Sequence, residues 1–229
     1  PTSKQTGSQA RHGPQDRWPR AVALKVLTQY HEATGDPRAL KIIANYFRYL
    51  ATQPADWPDN DWRGARAMEN ALTGFWLYNR TGDPAVLKTL EAIYLNSFDW
   101  YSFFLNFPYT QERYSAAEII PGDMRRTWRS RGVPYGGMVS HVVNLAMAVK
   151  YPGIWYQQSH NPYDLKASYE AIKSLDLHHG QVAGRFSGDE HLAGRRPTQG
   201  TELCAVVEFM FSLENLLLVT GDAAFADRL

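Results

Sequence analysis

The sequence predicts an all-α fold, a toroid of helical hairpins, from three observations. A short corner motif recurs four times, apolar residues flank each copy at helical spacing, and no stretch of any length shows the alternation of a β-strand. The corners are unevenly spaced, which distinguishes this pattern from a solenoid with a fixed repeat. We therefore expect a ring of hairpins that carries long functional loops on one rim.

The four copies of the corner motif mark the turns between paired helices. They occupy residues 34–40, 81–87, 159–165 and 220–226. In this motif a glycine ends one helix in the left-handed conformation and an Asp or Asn caps the next helix. Proline fits the first position of that helix because its missing N–H is not needed there. Each copy therefore predicts a tight helix–turn–helix corner.

Apolar residues at helical spacing predict the helices that flank these corners. They lie at 22–30 and 40–50 for the first hairpin, 72–76 and 87–94 for the second, and about 139–149 and 165–172 for the third. Before the fourth corner, residues 202–219 are apolar almost all round, which predicts a helix that is buried on all sides. We therefore expect inner helices that alternate with outer, more amphipathic ones.

Two long segments interrupt the hairpins, at about 107–137 and 178–200. Loops of this length inside a compact domain are usually functional. We expect residues 1–17 to form a disordered or extended segment and residues 18–229 to form one partial catalytic domain. The fourth hairpin shows only the opening turn of its second helix, so we expect chain beyond Leu229 to complete the ring.

The composition excludes several classes of protein. A net charge of +1 argues against nucleic acid or an acidic membrane as the main partner. The local basic cluster is interpreted as a solvated loop rather than an anion site; it consists of Arg125, Arg126, Arg129 and Arg131. The single cysteine excludes an internal disulfide framework. No apolar run is expected to span a membrane and no signal peptide opens the chain, so the compartment and the oligomeric state stay open.

The only cysteine, Cys204, follows Glu202 by two residues at the predicted start of the helix before the fourth corner. With Thr201 as the N-cap, both side chains lie in the first turn and can converge on one ion. A helix N-terminus favours the thiolate, and thiolate and carboxylate are both zinc ligands. The pair is therefore either half of a zinc site or a carboxylate beside a small buried thiol.

The segment that leads to this pair is dense in acid–base groups. Glycosidic cleavage needs a proton donor for the leaving oxygen, and Glu190 or Asp189 can supply it where apolar walls raise the carboxyl pKa. Otherwise the two are ordinary loop charges. His178 and His179 are candidates for binding hydroxyl groups or metal, and His141 is a candidate that faces inward. Alternatively, His178 and His179 are surface residues, and His141 is a core histidine whose hydrogen bonds are satisfied within the protein.

An ordered set of motifs resembles glycoside hydrolase family 127, the group that includes β-L-arabinofuranosidases. The matching pieces cover most of the chain from Trp18 onward; they are Trp18-Pro19, residues 32–37, 76–83, 141–144, 150–151, 188–190, 200–204 and 220–227. The Glu-x-Cys element, in its order after Glu190, is the most specific piece. Many members of the family have Thr where Leu203 stands, so the chain resembles a divergent branch.

The resemblance implies an (α/α)6 barrel as catalytic domain and a retaining mechanism. It also implies a zinc ion held by one Glu and three Cys, one of which is the nucleophile. Glu202 and Cys204 match two of these metal ligands, and Glu190 matches the general acid/base. The expected pair of further cysteines, including the nucleophile, is absent from the 229 residues and would lie beyond Leu229.

The same resemblance implies a carbohydrate substrate and suggests which residues contact it. His141 and His179 resemble substrate-contacting positions, and Asp189 is a further candidate for substrate binding. Two other hypotheses stay open: a metal-free sugar lyase or hydrolase on the same toroid, and a non-catalytic toroid that binds glycan or protein. Because half of the metal ligands are missing, we expect residues 1–229 alone to be inactive.

Overall fold

The computed structural model describes residues 17–53, 62–111 and 138–229. Within these ranges the chain is all-α, as the sequence predicts, and its only β-structure is a set of isolated bridges. The helices, in chain order, are α1 (Trp18–Thr34), α2 (Pro37–Ala51), α3 (Trp62–Ala65), α4 (Glu69–Thr81), α5 (Pro84–Asn96), α6 (Trp100–Leu105), α7 (Val142–Ala148), α8 (Tyr151–Ser159), α9 (Pro162–His179), α10 (Leu203–Thr220) and α11 (Ala223–Ala226). A short 3-10 turn occupies Val182–Gly184.

All four predicted corners are confirmed, and they share one hydrogen-bonding pattern. The carboxylate or amide oxygen of the capping residue accepts from the backbone N–H two residues on, at 2.9 to 3.1 Å; the capping residues are Asp36, Asp83, Asn161 and Asp222. A Thr or Ser hydroxyl two residues earlier accepts from the backbone N–H of each capping residue. In the third corner His160 takes the left-handed position, with φ 50°, that glycine occupies in the other three.

The helices form an inner and an outer layer, as expected from the sequence. Helix α1 packs against α4, α4 against α8, and α10 against both α7 and α8. Their hairpin partners α2, α5, α9 and α11 pack on them from outside. Because every hairpin returns the chain to the end where it started, the inner helices run parallel. Their N-terminal ends, and the linkers that reach them, therefore share one mouth opposite the corners.

A buried ion cluster joins three of the inner segments. The Glu69 carboxylate on α4 lies 2.5 Å from Lys25 of α1 and also pairs with Lys150, which precedes α8. Glu69 and Lys150 are fully buried. Burial acts to raise the pKa of Glu69, but the charges of Lys150 and Lys25 outweigh it and hold that pKa below its ordinary value. The cluster lies among apolar core residues and needs all three charges, because an unpaired buried charge is strongly unfavourable.

The expectation that the helix before the fourth corner is buried on all sides is wrong. Along α10, Leu203, Val207, Met210 and Leu218 are 74, 55, 44 and 77 % exposed. These positions follow helical spacing and form one stripe, so a single face of α10 lacks a neighbour in the described part of the chain. An apolar composition all round does not show which face is covered, because burial depends on the neighbouring elements.

Helix α10 also bears on the expectation that no apolar run is long enough to cross a membrane. By length and composition alone, it is the one helix in the described ranges that meets this criterion, and 28 % of it is buried. Core helices of globular proteins meet the same criterion, so the finding by itself assigns no membrane role.

Some boundaries differ from the sequence expectation. The helix expected at about 139–149 begins at Val142, and a second helix, α8, follows it before the corner. His178 and His179, expected in a loop, form the last turn of α9. The predicted N-terminal segment 1–17, apart from Arg17, and the basic cluster within 112–137 lie outside the described residues.

Candidate active site

Residues far apart in the sequence meet at the N-terminal ends of the inner helices. The Arg66 guanidinium, just before α4, lies 4.7 Å from the ring centroid of Trp18 at the start of α1. Its Nε donates a hydrogen bond of 2.7 Å to Oδ1 of Asn144 on α7. The positive charge of Arg66 also acts on Glu202, which caps α10. The mouth is therefore assembled from the first turns of four helices.

The linker between α9 and α10 crosses this mouth and is fixed to it by backbone hydrogen bonds. The Val142 N–H donates to the carbonyl of Glu190 at 3.0 Å, and the Leu192 N–H donates to the carbonyl of Ser140 at 3.0 Å. Further along, the Glu202 N–H donates to the carbonyl of Gly188 at 2.9 Å. These bonds bring the segment that carries Glu190 beside both α7 and α10.

Glu190 and His141, both predicted as site residues, are in contact. The Nε2 atom of His141 lies 3.3 Å from Oε2 of Glu190, and the two side chains are 6 and 75 % exposed. On the other side of the ring, the backbone N–H of Asn144 donates to Nδ1 at 3.3 Å. Because Nδ1 accepts, the proton of a neutral imidazole is on Nε2, the ring atom that lies 3.3 Å from the Glu190 carboxylate.

His141 is neutral in this setting. Burial, and then the positive charges of Arg66 and His191, lower its pKa to about 4. The 3.3 Å contact to Glu190 has the distance of an ion pair, but the lowered pKa shows that above pH 4 it joins a neutral imidazole to a carboxylate. His191 has its pKa lowered by burial as well, while the charge of Glu190 opposes that shift.

Glu202 and Cys204 occupy the start of α10, one position earlier in the helix than predicted. The N-cap is Glu202 rather than Thr201, so Cys204 is the second helical residue. Cys204 is exposed, and its thiol is close enough to Glu202 to act to lower the pKa of that carboxyl. The Oε2 atom of Glu202 is buried and has no hydrogen-bond partner among the described residues. The two predicted metal ligands are thus adjacent, and one of them has an unsatisfied donor oxygen.

The acidic side chains around the mouth affect one another. Burial raises the pKa of Glu202, and the negative charge of Glu190 raises it further, as does that of Asp189 to a smaller extent. The Cys204 thiol and the charge of Arg66 oppose this shift. Glu190, Asp189 and Glu202 therefore share one electrostatic environment.

Asp189 is exposed and lies against Gly200. A Cβ built on Gly200 would come within 2.0 Å of Oδ1 of Asp189. Gly200 is therefore required by a close approach, which places the Asp189 carboxylate next to the turn that leads into Glu202. Its predicted contact with substrate stays a prediction.

His179 does not reach the mouth. Its side chain is fully buried, Nε2 donates to the carbonyl of Tyr109 at 2.7 Å, and Nδ1 accepts from the Gly194 N–H at 3.0 Å. Burial lowers its pKa to about 4, so the ring is neutral. Both ring nitrogens form hydrogen bonds with backbone groups. We therefore infer that His179 stabilises the linker between α9 and α10 rather than contacting a substrate.

Two residues of the mouth were missed by the sequence analysis. Arg66 is half-buried and is placed by contacts with Trp18 and Asn144, which are 48 and 78 positions away in the chain. Its only local signal is a single Arg in the small-residue run 64–67. Asn144 lies in the motif at residues 141–144. Its role in anchoring both Arg66 and His141 depends on contacts that the spacing of residues in the sequence does not reveal.

The arrangement can supply two chemical functions. A solvent-accessible carboxyl, Glu190, is positioned to exchange a proton with a bound molecule, as a general acid/base must. A carboxylate and a thiol, Glu202 and Cys204, are positioned to hold a soft divalent metal. A glycosidase needs a proton donor and a second group across the scissile bond.

The described helices are arranged in hairpins, and the carboxyl groups of Glu190 and Glu202 and the thiol of Cys204 lie at the N-terminal ends of the inner helices. Comparison with protein families gives the class of this domain. The model described as beta-L-arabinofuranosidase, GH127 catalytic domain, matches residues 18–229, and the chain therefore belongs to glycoside hydrolase family 127. The domain is of the α/α-barrel type, and its activity is that of a glycosidase on a carbohydrate substrate. No curated protein and no solved structure matches the chain.

Proposed function

We propose that the protein is a zinc-dependent, retaining β-L-arabinofuranosidase-like hydrolase that acts on side chains of polysaccharides or glycans. The observation that carries the proposal is the convergence of Glu190, Glu202 and Cys204 at one mouth. The family match supports the glycosidase class, and these three residues would supply a proton donor and two metal ligands.

The donor set fits half of a zinc site. Glu202 offers the buried, unpartnered Oε2, and Cys204 offers an exposed thiol beside it. No cluster of three or more His, Cys, Asp and Glu in residues 17–53, 62–111 and 138–229 is arranged to hold a metal. Cys204 is the chain's only cysteine, so these 229 residues offer one thiolate ligand. Bound there, zinc would hold thiolates deprotonated at neutral pH.

Glu190 has the position expected of the general acid/base. In the first half of a retaining reaction it would donate its proton to the glycosidic oxygen as a nucleophile displaces that oxygen from the anomeric carbon. In the second half it would accept a proton from the water that displaces the nucleophile from the same carbon. Its high exposure leaves the carboxyl open to a substrate, and the backbone hydrogen bond from Val142 fixes the segment that carries it.

Activity and zinc content of the full polypeptide that contains this chain test the proposal. We expect Glu190→Gln to lower kcat on an arabinofuranoside about 10²- to 10⁴-fold without loss of zinc, since only the proton transfer is removed. Cys204→Ala is expected to lower both zinc content and activity, because a metal ligand is removed.

Glu214→Gln is the matched control, because Glu214 is an exposed carboxylate on α10 away from its first turn. It should leave zinc content and kcat at the wild-type level. Unchanged turnover in both Glu190→Gln and Cys204→Ala would overturn the assignment of the site. Full activity in zinc-free protein would favour a metal-free hydrolase instead, and binding of glycan without turnover would favour a non-catalytic toroid.

A further inference from the structure

We propose that His141 is a positioning residue for Glu190, rather than a direct contact of the sugar. The inference rests on the proposed role of Glu190 as general acid/base and deepens it. It assigns the imidazole to a relay of contacts that begins at Arg66, passes through Asn144 and ends at the Glu190 carboxylate.

The relay is continuous. Arg66 Nε donates to Asn144 Oδ1 at 2.7 Å, and Asn144 Nδ2 donates to the carbonyl of Met138 at 2.9 Å, so the Asn144 side chain is held at both ends. The Asn144 backbone N–H donates to His141 Nδ1 at 3.3 Å. His141 Nε2 then lies 3.3 Å from Glu190 Oε2.

Each ring nitrogen of His141 therefore has a defined partner. The acceptor role of Nδ1 requires the proton on Nε2, which makes the ring an N–H donor toward the carboxylate. Because the His141 side chain is 6 % exposed, its ring is held by packing and has little access to a ligand in the mouth.

Glu190 needs such an anchor because its side chain is 75 % exposed and its other described fixed point is the backbone hydrogen bond from Val142. A freely rotating carboxyl would spend much of its time away from the glycosidic oxygen. A misplacement of about 1 Å can lower a rate about 10²-fold. A donor on one carboxylate oxygen restricts the side chain and leaves the other oxygen for the substrate.

Two substitutions at His141 distinguish the role of Nδ1 in capping α7 from the role of Nε2 beside Glu190. His141→Asn keeps a good N-cap for α7, because the Asn amide oxygen can accept the Asn144 N–H, but it is too short to reach Glu190. His141→Gln carries an amide N–H about as far from the backbone as Nε2 and can still donate to Glu190. His141→Asn therefore removes the contact with Glu190 while keeping the cap of α7. His141→Gln restores the contact with Glu190.

The leaving group of the substrate distinguishes positioning from sugar contact. For an alkyl arabinofuranoside, whose departure needs the acid, we expect His141→Asn to lower kcat about 10²-fold and KM to change little. For a 4-nitrophenyl arabinofuranoside, whose leaving group departs without a proton, the rate constant of the first step should be nearly unchanged. His141→Gln should recover most of the loss, and adding His141→Asn to Glu190→Gln should cause no further loss.

A second measurement does not require turnover. In ¹⁵N NMR of the full polypeptide, the Nε2 resonance of His141 should shift in Glu190→Ala and the Nδ1 resonance should not, because Nε2 is the ring atom next to the carboxylate. The other titratable groups beside Glu190 are unchanged by this substitution; they are Asp189, His191 and Glu202. This measurement keeps His141 in place, so it does not depend on whether His141→Asn folds.

An equal loss of the first-step rate constant on both substrates, or a His141 Nε2 resonance that does not respond to Glu190→Ala, would overturn the inference and assign His141 to the sugar or to the fold. If the wild-type enzyme hydrolyses no arabinofuranoside, the proposed function fails. The NMR measurement still decides whether His141 holds Glu190.

Discussion

Single side chains at the mouth are fixed by close contacts that leave little room for substitution. Gly200 is the sharpest example, because a Cβ there would overlap Oδ1 of Asp189 at 2.0 Å. Gly200 does not have a positive φ, so an alanine would fit its backbone. The steric conflict is therefore with one carboxylate, and it lies two residues before Glu202.

We expect Gly200→Ala to lower the free energy of unfolding by at most about 1 kcal/mol, because the atom that the methyl group would overlap is the end of an exposed side chain that can rotate away. The double variant Asp189→Ala/Gly200→Ala should regain most of this loss, and Asp189→Ala alone should cost little because the side chain is exposed. Urea denaturation of the three variants measures the effect. Equal destabilisation in the single and double variants would show that the overlap is not with Asp189.

The residues of the site differ in how far the sequence could reveal them. Glu190, Glu202 and Cys204 could be found because their types and order match a family pattern, and the structure brings them together. Arg66 could not, because its role depends on contacts with Trp18 and Asn144 that the fold creates. The placement of His179 away from the mouth also depends on tertiary contacts, with Tyr109 and Gly194.

At the scale of the elements, the corners were predictable because their chemistry is local. Each cap is a side chain that accepts a hydrogen bond from a backbone N–H two residues away, so the whole pattern lies within a few consecutive residues. The exposure of one face of α10 was not predictable, because it depends on which elements lie beside the helix. The break between α7 and α8 was also missed, since apolar residues continue through it.

The cap of α5 provides a test of this local control. Asp83 accepts from the Ala85 N–H at 2.9 Å, and Asp83→Ala removes that acceptor. We expect a loss of about 1 kcal/mol in the free energy of unfolding. Asp83→Asn is the matched control, because Asn caps about as well as Asp and should cost only a few tenths of a kcal/mol. Thermal or urea denaturation measures both; similar losses in the two variants would mean that the charge of Asp83, rather than its cap, stabilises the corner.

At the scale of the whole molecule, buried polar groups connect the hairpins that the corners make separately. Lys25, Glu69 and Lys150 join α1, α4 and the start of α8 in the core. His141 and His179 join the linker before α10 to α7 and to the segment after α6. These contacts are between residues distant in sequence, so the local patterns that predict the hairpins do not specify how the hairpins are joined.

The two buried histidines make the stability of the whole domain depend on pH. Burial is the main cause that lowers the pKa of both His141 and His179 to about 4 in the folded chain, against about 6.5 when unfolded. Between these values the unfolded state binds more protons than the folded state, so stability rises with pH. Their stabilisation is fully present above about pH 6.5 and is lost as the pH falls toward 4.

We expect the free energy of unfolding to fall by roughly 2–4 kcal/mol between pH 7 and pH 5, as each pKa unit corresponds to about 1.4 kcal/mol. The raised pKa values of Glu202 and Asp164 oppose this trend, because their stabilising effect runs in the other direction, whereas the lowered pKa of His191 adds to it. Urea denaturation at several pH values measures the slope. His141→Asn should remove about half of it, whereas His160→Asn, at an exposed corner, should leave it unchanged. A urea midpoint that stays constant from pH 7 to pH 5 would mean that the folded protein accommodates both histidines in their charged form, and the tautomer assigned to His141 would fail with it.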